Sequence, residues 1–119
     1  MPEDRTNKIS CSNYRCEIEL ALEIISGKWN ALIIWTLGTE GTKRFGELRR
    51  SLPGITQKML TQQLKGLENY GLIDRVPYPE VPPVVEYSLT ELGETLMPIF
   101  KELDIWGKKY MEHRNSKKK

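Results

Sequence analysis

A proline followed by a glycine at positions 53 and 54 divides the middle of this 119-residue chain into two short helical patterns. Proline disfavours the helical region for its predecessor and glycine tolerates positive φ, so a helix stops here. Before the break, Phe45, Leu48 and Leu52 repeat at intervals of three and four, which predicts a short helix. After it, Thr56 is placed to accept one of the N–H groups that a first helical turn leaves unbonded. Leu60, Leu64 and Leu67 then run down one side of a further helix that ends at Tyr70-Gly71. Two helices joined by a turn of about four residues form a helix-turn-helix.

The flanking segments define what surrounds that pair. Ile18, Ala21, Leu22 and Ile25 recur at helical spacing from near Cys16, and Gly27 supplies a left-handed stop. From Lys28 to about Leu37 a second helix carries Trp29, Leu32, Ile33 and Thr36 on one face, with Ile34 and Trp35 making it apolar almost all round, as a central buried helix is. Gly38 and Gly41 are expected to bracket a short loop. Beyond Gly71 the period changes: residues 72–79 and 84–89 are rich in β-branched and aromatic types, with Val85, Tyr87 and Leu89 alternating on one face. The run Pro79-Glu80-Val81-Pro82-Pro83 between them lacks three ladder donors, which makes it the loop of a hairpin, or wing.

Thr90 is expected to cap one final helix whose Leu92, Leu96, Ile99, Leu103, Trp106 and Tyr110 alternate spacings of four and three, the repeat of a packing seam. Pro98 falls inside that pattern and predicts a kink. The fold expected is mainly α with a small β-hairpin: a winged helix-turn-helix occupying 16–112 as one domain. Residues 1–15 read as a flexible arm and 113–119 as a basic, frayed tail. No apolar run approaches the eighteen or so residues needed to span a bilayer, and the N-terminus lacks the apolar stretch of a secretory signal, so a cytoplasmic protein without membrane contact is expected.

The net charge of +2 hides an uneven distribution. Between Lys43 and Lys65 lie six basic residues, Lys43, Arg44, Arg49, Arg50, Lys58 and Lys65, against the single acid Glu47; the rest of the chain is mildly acidic. A basic segment on such a chain suits a phosphate-binding face, although charge runs also form plain solvated surfaces. If the leucines of the second helix of the pair face the core, its opposite side presents Gln57, Lys58, Thr61, Gln62 and Lys65, with no acid among them. Gln pairs with adenine, Lys with the acceptors of guanine, and Thr touches the thymine methyl. Gln57, Lys58, Thr61 and Gln62 are therefore the candidates for base contacts in double-stranded DNA, and Lys43, Arg44, Arg49 and Lys65 for phosphates.

Residues 16–29, C-E-I-E-L-A-L-E-I-I-S-G-K-W, resemble the opening of the HxlR-type regulators, a branch related to the MarR-like winged-helix proteins. The strings R-F-G-E-L-R-R-S-L-P-G-I-T from Arg44 and Y-P-E-V-P-P-V-V-E-Y-S-L-T-E-L-G from Tyr78 share the resemblance, which spans 16–106. It implies a DNA-binding transcriptional regulator, by default a repressor. It further implies a homodimer built from the first and last helices, with Ile18, Leu22, Leu96, Ile99, Leu103 and Trp106 at the interface. The alternative for that seam is packing within one subunit. The chain departs from the family pattern at Val84, where members often carry a basic residue; only Arg75, lower on the first strand, is left to reach a phosphate from the wing.

Cys16 corresponds to a cysteine that some members of this family use to sense oxidants or electrophiles. A helix N-terminus and Arg15 favour its thiolate, Glu17 and Glu19 oppose it, and the other reading is a small, buried, inert side chain. Cys11 and Cys16 are too few for a disulfide framework, and with His113 they fall short of the four ligands of a structural zinc site. No phosphate loop, nucleophile elbow or paired acids are present, so neither a cofactor nor enzymatic activity is expected. Two competing readings are a winged helix that docks onto protein without binding DNA, and an RNA binder, which would want exposed aromatic residues on the reading face.

Overall fold

The computed structural model describes residues 16–117; the expected arm at 1–15 and the last two residues lie outside them. The elements in chain order are α1 (Glu17–Ile25), α2 (Lys28–Glu40), β1 (Lys43–Arg44), α3 (Phe45–Ser51), α4 (Gln57–Asn69), β2 (Ile73–Tyr78), β3 (Val84–Leu89), α5 (Glu91–Glu94) and α6 (Met97–Lys117). The three strands form an antiparallel sheet in the order β1-β3-β2. This is a mainly helical winged helix-turn-helix.

Apolar periodicity accounts for the helices around one core. α2 is the centre, with Ile33, Ile34, Thr36 and Leu37 buried. Against it pack Leu48 and Leu52, Leu60, Leu64 and Leu67 of α4, Ile73 and Tyr87 of the sheet, and Met97 and Phe100 at the start of α6. Each fully buried leucine contributes about 1.5–3 kcal/mol by area, so the three on α4 fix which side of that helix faces inward. Gly27 marks the turn after α1 at φ 94°, as its position in the sequence predicts.

The structure corrects four expectations. Gly38 does not open a loop: α2 continues through it to Glu40 and stops at Gly41, whose N–H donates to the Leu37 carbonyl. Gly38 is glycine for packing, because a Cβ there would occupy the place of the Met97 thioether. The expected single C-terminal helix is two, α5 and α6, separated at Thr95 and Leu96. Thr90 caps the shorter one, accepting the Gly93 N–H at 3.0 Å, while its own hydroxyl donates to the Gly71 carbonyl.

The division also removes the kink expected at Pro98. That proline is the second residue of α6, in the first turn, where a missing N–H breaks no intrahelical bond. The frayed tail is corrected as well, since α6 continues to Lys117 and takes in residues 113–117. Arg114 and Lys117 in its last turn complement the negative end of the helix dipole. No single helix among the described residues is long and apolar enough to cross a membrane.

β1 is an element the sequence pattern missed. Its two residues pair with the middle of the wing, Lys43 opposite Tyr87 and Arg44 opposite Glu86. The consequence is that β3 becomes a central strand, half-buried along its length, while Pro77 of β2 sits in an edge strand.

Candidate nucleic-acid interface

The turn between α3 and α4 is fixed at both ends. Leu52 and Ile55 are buried, the Ile55 N–H donates to the Leu52 carbonyl at 3.1 Å, and Gly54 between them takes φ 95°. Immediately after, Thr56 accepts the Met59 N–H at 3.1 Å and starts α4. The polar side of α4 follows from the burial of its leucines: Gln57, Lys58, Thr61, Gln62 and Lys65 are all exposed. Thr61 donates its hydroxyl proton to the Gln57 carbonyl at 2.9 Å. It therefore presents its methyl group and oxygen lone pairs as the groups free for contact.

The cations chosen as phosphate contacts fall into different settings. Arg49 on α3 and Lys65 on α4 are exposed. Arg44 is exposed on β1, and its backbone N–H donates to Glu47 Oε1 at 2.8 Å, closing the entry to α3. That hydrogen bond, with help from Lys43, Arg44 and Arg50 nearby, holds the Glu47 carboxyl below the ordinary carboxylate value. Lys43 is half-buried and paired with Glu40 at 3.1 Å, so part of its charge is already spent within the protein. Neither Glu40's reach to it nor the turn of the Arg50 side chain back toward Gly46 carried a signal in the sequence, because the first depends on the missed strand and the second on side-chain direction.

Arg75 lies on β2 directly opposite Tyr87, which on its other side faces Lys43. The wing beyond it is apolar and acidic. Val81 is fully exposed at the tip, and Glu86 hydrogen-bonds Tyr78, whose phenol is pushed above its usual range by the Glu86 charge and by that bond.

A second surface has the opposite character. Ile18 and Leu22 of α1 and Ile99, Leu103 and Trp106 of α6 are exposed, by 51–63% of their areas. Leu96, expected beside them, instead packs partly buried against its own subunit's core. Within the single chain, Ile99, Leu103 and Trp106 are therefore left uncovered, whereas Leu96 is partly covered. Cys16, at the N-cap of α1, is exposed and free in the single chain. Cys11 lies outside the described residues. His113 stands 6.2 Å from the Tyr110 ring, and among the described residues no three His, Cys, Asp or Glu side chains converge as a metal site would require.

The family pattern described as HxlR-like helix-turn-helix matches residues 24–115. A candidate regulatory protein, MalR, of Fusobacterium mortiferum is 53% identical over 104 residues, covering 87% of this chain and 93% of its own. Among solved structures, the redox regulator HypR in its reduced form superposes with a TM-score of 0.79 at 44% identity, covering 85% of this chain and 99% of that one. A candidate MarR-family transcriptional regulator from Porphyromonas gingivalis W83 gives 0.75 at 47% identity, covering 79% and 91%. With the winged helix-turn-helix and the acid-free polar face of α4 already in place, these likenesses establish that the chain belongs to the HxlR-like helix-turn-helix family of transcriptional regulators.

Proposed function

We propose that this protein binds a pseudo-palindromic operator in duplex DNA as a homodimer and represses transcription by occupying it. The observation that carries the reading is the exposure of Gln57, Lys58, Thr61 and Gln62 on a helix whose other side is locked into the core. In this reading those four side chains meet base edges, and Arg44, Arg49, Lys65 and, to a lesser degree, Lys43 and Arg75 meet phosphates. The unpartnered apolar faces of α1 and α6 supply the dimer contact, which spaces two copies of α4 by about 10 bp or a multiple of it. Such a regulator acts in the cytoplasm and performs no chemistry on its own account.

Titrating a labelled duplex against salt tests the reading. About six phosphate contacts per dimer correspond to roughly a thousandfold loss of affinity between about 50 and 200 mM salt. A flat response would instead favour a winged helix that docks on protein.

Cys16 extends the proposal to stress sensing. Its exposure at the start of α1, beside the proposed dimer face, and the likeness to the redox regulator HypR support a thiol whose oxidation or alkylation alters operator binding. Peroxide or a quinone is expected to change the DNA affinity of the wild type and not of Cys16→Ser. Equal affinities before and after treatment in both proteins would remove Cys16 from the mechanism.

A further inference from the structure

A cavity of about 170 Å³ lies between α1 and the body of the fold. Ala21, Ile24 and Ile25 of α1 form one wall, and Leu72, just past α4, faces them with Leu92 of α5. We propose that this cavity binds a small, uncharged molecule with a single aromatic ring, and that its occupation shifts α1 and lowers operator affinity. Binding stands on the cavity alone; the effect on affinity rests on the duplex and dimer reading given above.

Size and lining define the occupant. An apolar cavity of about 150 Å³ is enough to hold benzene, so one ring fits here and a drug-sized ligand does not. Among the described residues no Lys, Arg, His, Asp or Glu lines the cavity, so a carboxylate entering it would lose its water and meet no cation. The polar groups in the lining are the Tyr70 phenol and the Thr95 hydroxyl. Thr95 already donates its proton to the Leu92 carbonyl at 2.5 Å, which leaves its oxygen as an acceptor. A ring that carries one hydroxyl matches this set. Tyr70 and Leu92 are both exposed, which gives a ligand access from solvent.

The α1 wall is easily displaced. Among the described residues α1 is the one helix without a fully buried side chain, and Ile24 and Ile25 pack only partly buried against the core. It meets α2 at 84° across Ser26-Gly27, where Gly27 takes φ 94° and Asn30 Nδ2 donates to the Ile24 carbonyl at 3.3 Å. A helix with so little area in the core costs little to reposition. The opposite wall belongs to the end of α4: Tyr70 is its C-cap, and the Leu72 N–H donates to the Leu67 carbonyl at 3.0 Å. On α1 the dimer candidates Ile18 and Leu22 lie on the strip next to Ala21 and Ile25. A ring wedged between the walls therefore moves the dimer contact relative to α4, and with it the spacing of the two reading helices. The shift in equilibrium equals the preference of the ligand for the displaced arrangement.

Benzyl alcohol and benzoate test the site, because they share a ring, differ in charge and neither alkylates nor oxidises a thiol. Calorimetric titration of the full chain is expected to show saturable binding of benzyl alcohol, and binding of benzoate weaker on the order of a hundredfold. Ala21→Phe and Leu92→Trp fill the cavity from opposite walls at exposed positions; with folding verified by circular dichroism, each should weaken benzyl alcohol at least about tenfold. In fluorescence anisotropy on a labelled duplex, saturating benzyl alcohol should lower affinity about tenfold, and by linkage the duplex should weaken benzyl alcohol by the same factor. Absence of saturable binding, equal binding of benzoate, or undiminished binding by the folded variants would overturn the site. Saturable binding that leaves duplex affinity unchanged would overturn the coupling through α1. If benzyl alcohol fails to bind while the duplex binds with steep salt dependence, the cavity is wrong and the reading of α4 stands. If it binds to a protein without affinity for the duplex, the site stands and that reading falls.

Discussion

Helices α4 and α6 both have one side in the core, yet they leave opposite chemistries in water. α4 buries Leu60, Leu64 and Leu67 and exposes a polar side without an acid from Gln57 to Leu67. α6 buries only Met97 and Phe100 near its beginning, and Ile99, Leu103, Ile105, Trp106, Tyr110 and Met111 remain exposed along its 21 residues. A polar face is stable in water and gains a partner only where complementary groups replace that water. An apolar face is unfavourable by about 25 cal/mol for each Å² left wet, so it gains from almost any apolar cover. The same exposure thus means readiness on α4 and incompleteness on α6, and the two faces should respond to different perturbations.

The largest effect is expected where incompleteness is removed by force. Changing Leu103 and Trp106 together to glutamate places two charges on the α6 face without touching the core, since both side chains are more than half exposed. If α6 is the dimer contact, association should weaken on the order of a thousandfold, as loss of two central apolar anchors does. Sedimentation should then report monomers at micromolar concentration with an unchanged circular dichroism spectrum, and operator affinity should fall with the loss of the second copy of α4. A double variant that sediments like the wild type would break the contrast between the two helices.

How much of each helix could be read in advance differs for a physical reason. α4 was legible because its leucines, its cap at Thr56 and the break at Pro53-Gly54 are all local signals that agree with one another. The C-terminal pattern ran through Thr95 without a local stop, so the division into α5 and α6 was hidden, and Pro98 was misplaced inside a helix instead of in a first turn. Gly38 misled for the converse reason: its role is a contact with Met97, 59 positions away, which no local rule contains. At the candidate site the exposed set on α4 followed from helical periodicity alone. The Lys43–Glu40 pair and the alignment of Arg44 with Glu86 did not, because a two-residue strand shows no alternation.

On the charged side, the comparison is sharpened by weighing α4 against the wing. Lys58→Ala is expected to lower operator affinity about tenfold, in line with loss of one charge-assisted contact to DNA. Arg75→Ala should lower it less than about threefold, because the wing beyond Arg75 offers Val81, Glu80 and a Glu86 already bonded to Tyr78, and no further cation to share the phosphate backbone. Neither change should alter the oligomeric state. Anisotropy measurements in which Arg75→Ala abolishes binding and Lys58→Ala leaves it intact would move the main contact from the helix to the wing.

The smallest effect concerns the only acid between Lys43 and Lys65, and it separates charge from apolar area by pH. Glu47 is held below its ordinary value of 4.5, first by the hydrogen bond from the Arg44 N–H and then by the charges of Lys43, Arg44 and Arg50. A carboxyl depressed in the folded state binds its proton more readily when unfolded. The stability it contributes is therefore complete above 4.5 and is lost as pH falls through the lower folded value. In urea titrations Glu47→Gln should unfold slightly earlier than the wild type at neutral pH, with the gap closing only below 4.5 and vanishing in acid. The side chain is exposed, so the difference should be a small shift of midpoint and not of slope. A gap that persists unchanged into acid would mean that the carboxylate charge adds nothing at the entry to α3, leaving only a neutral hydrogen bond to hold the start of the helix that carries Arg49 and Arg50.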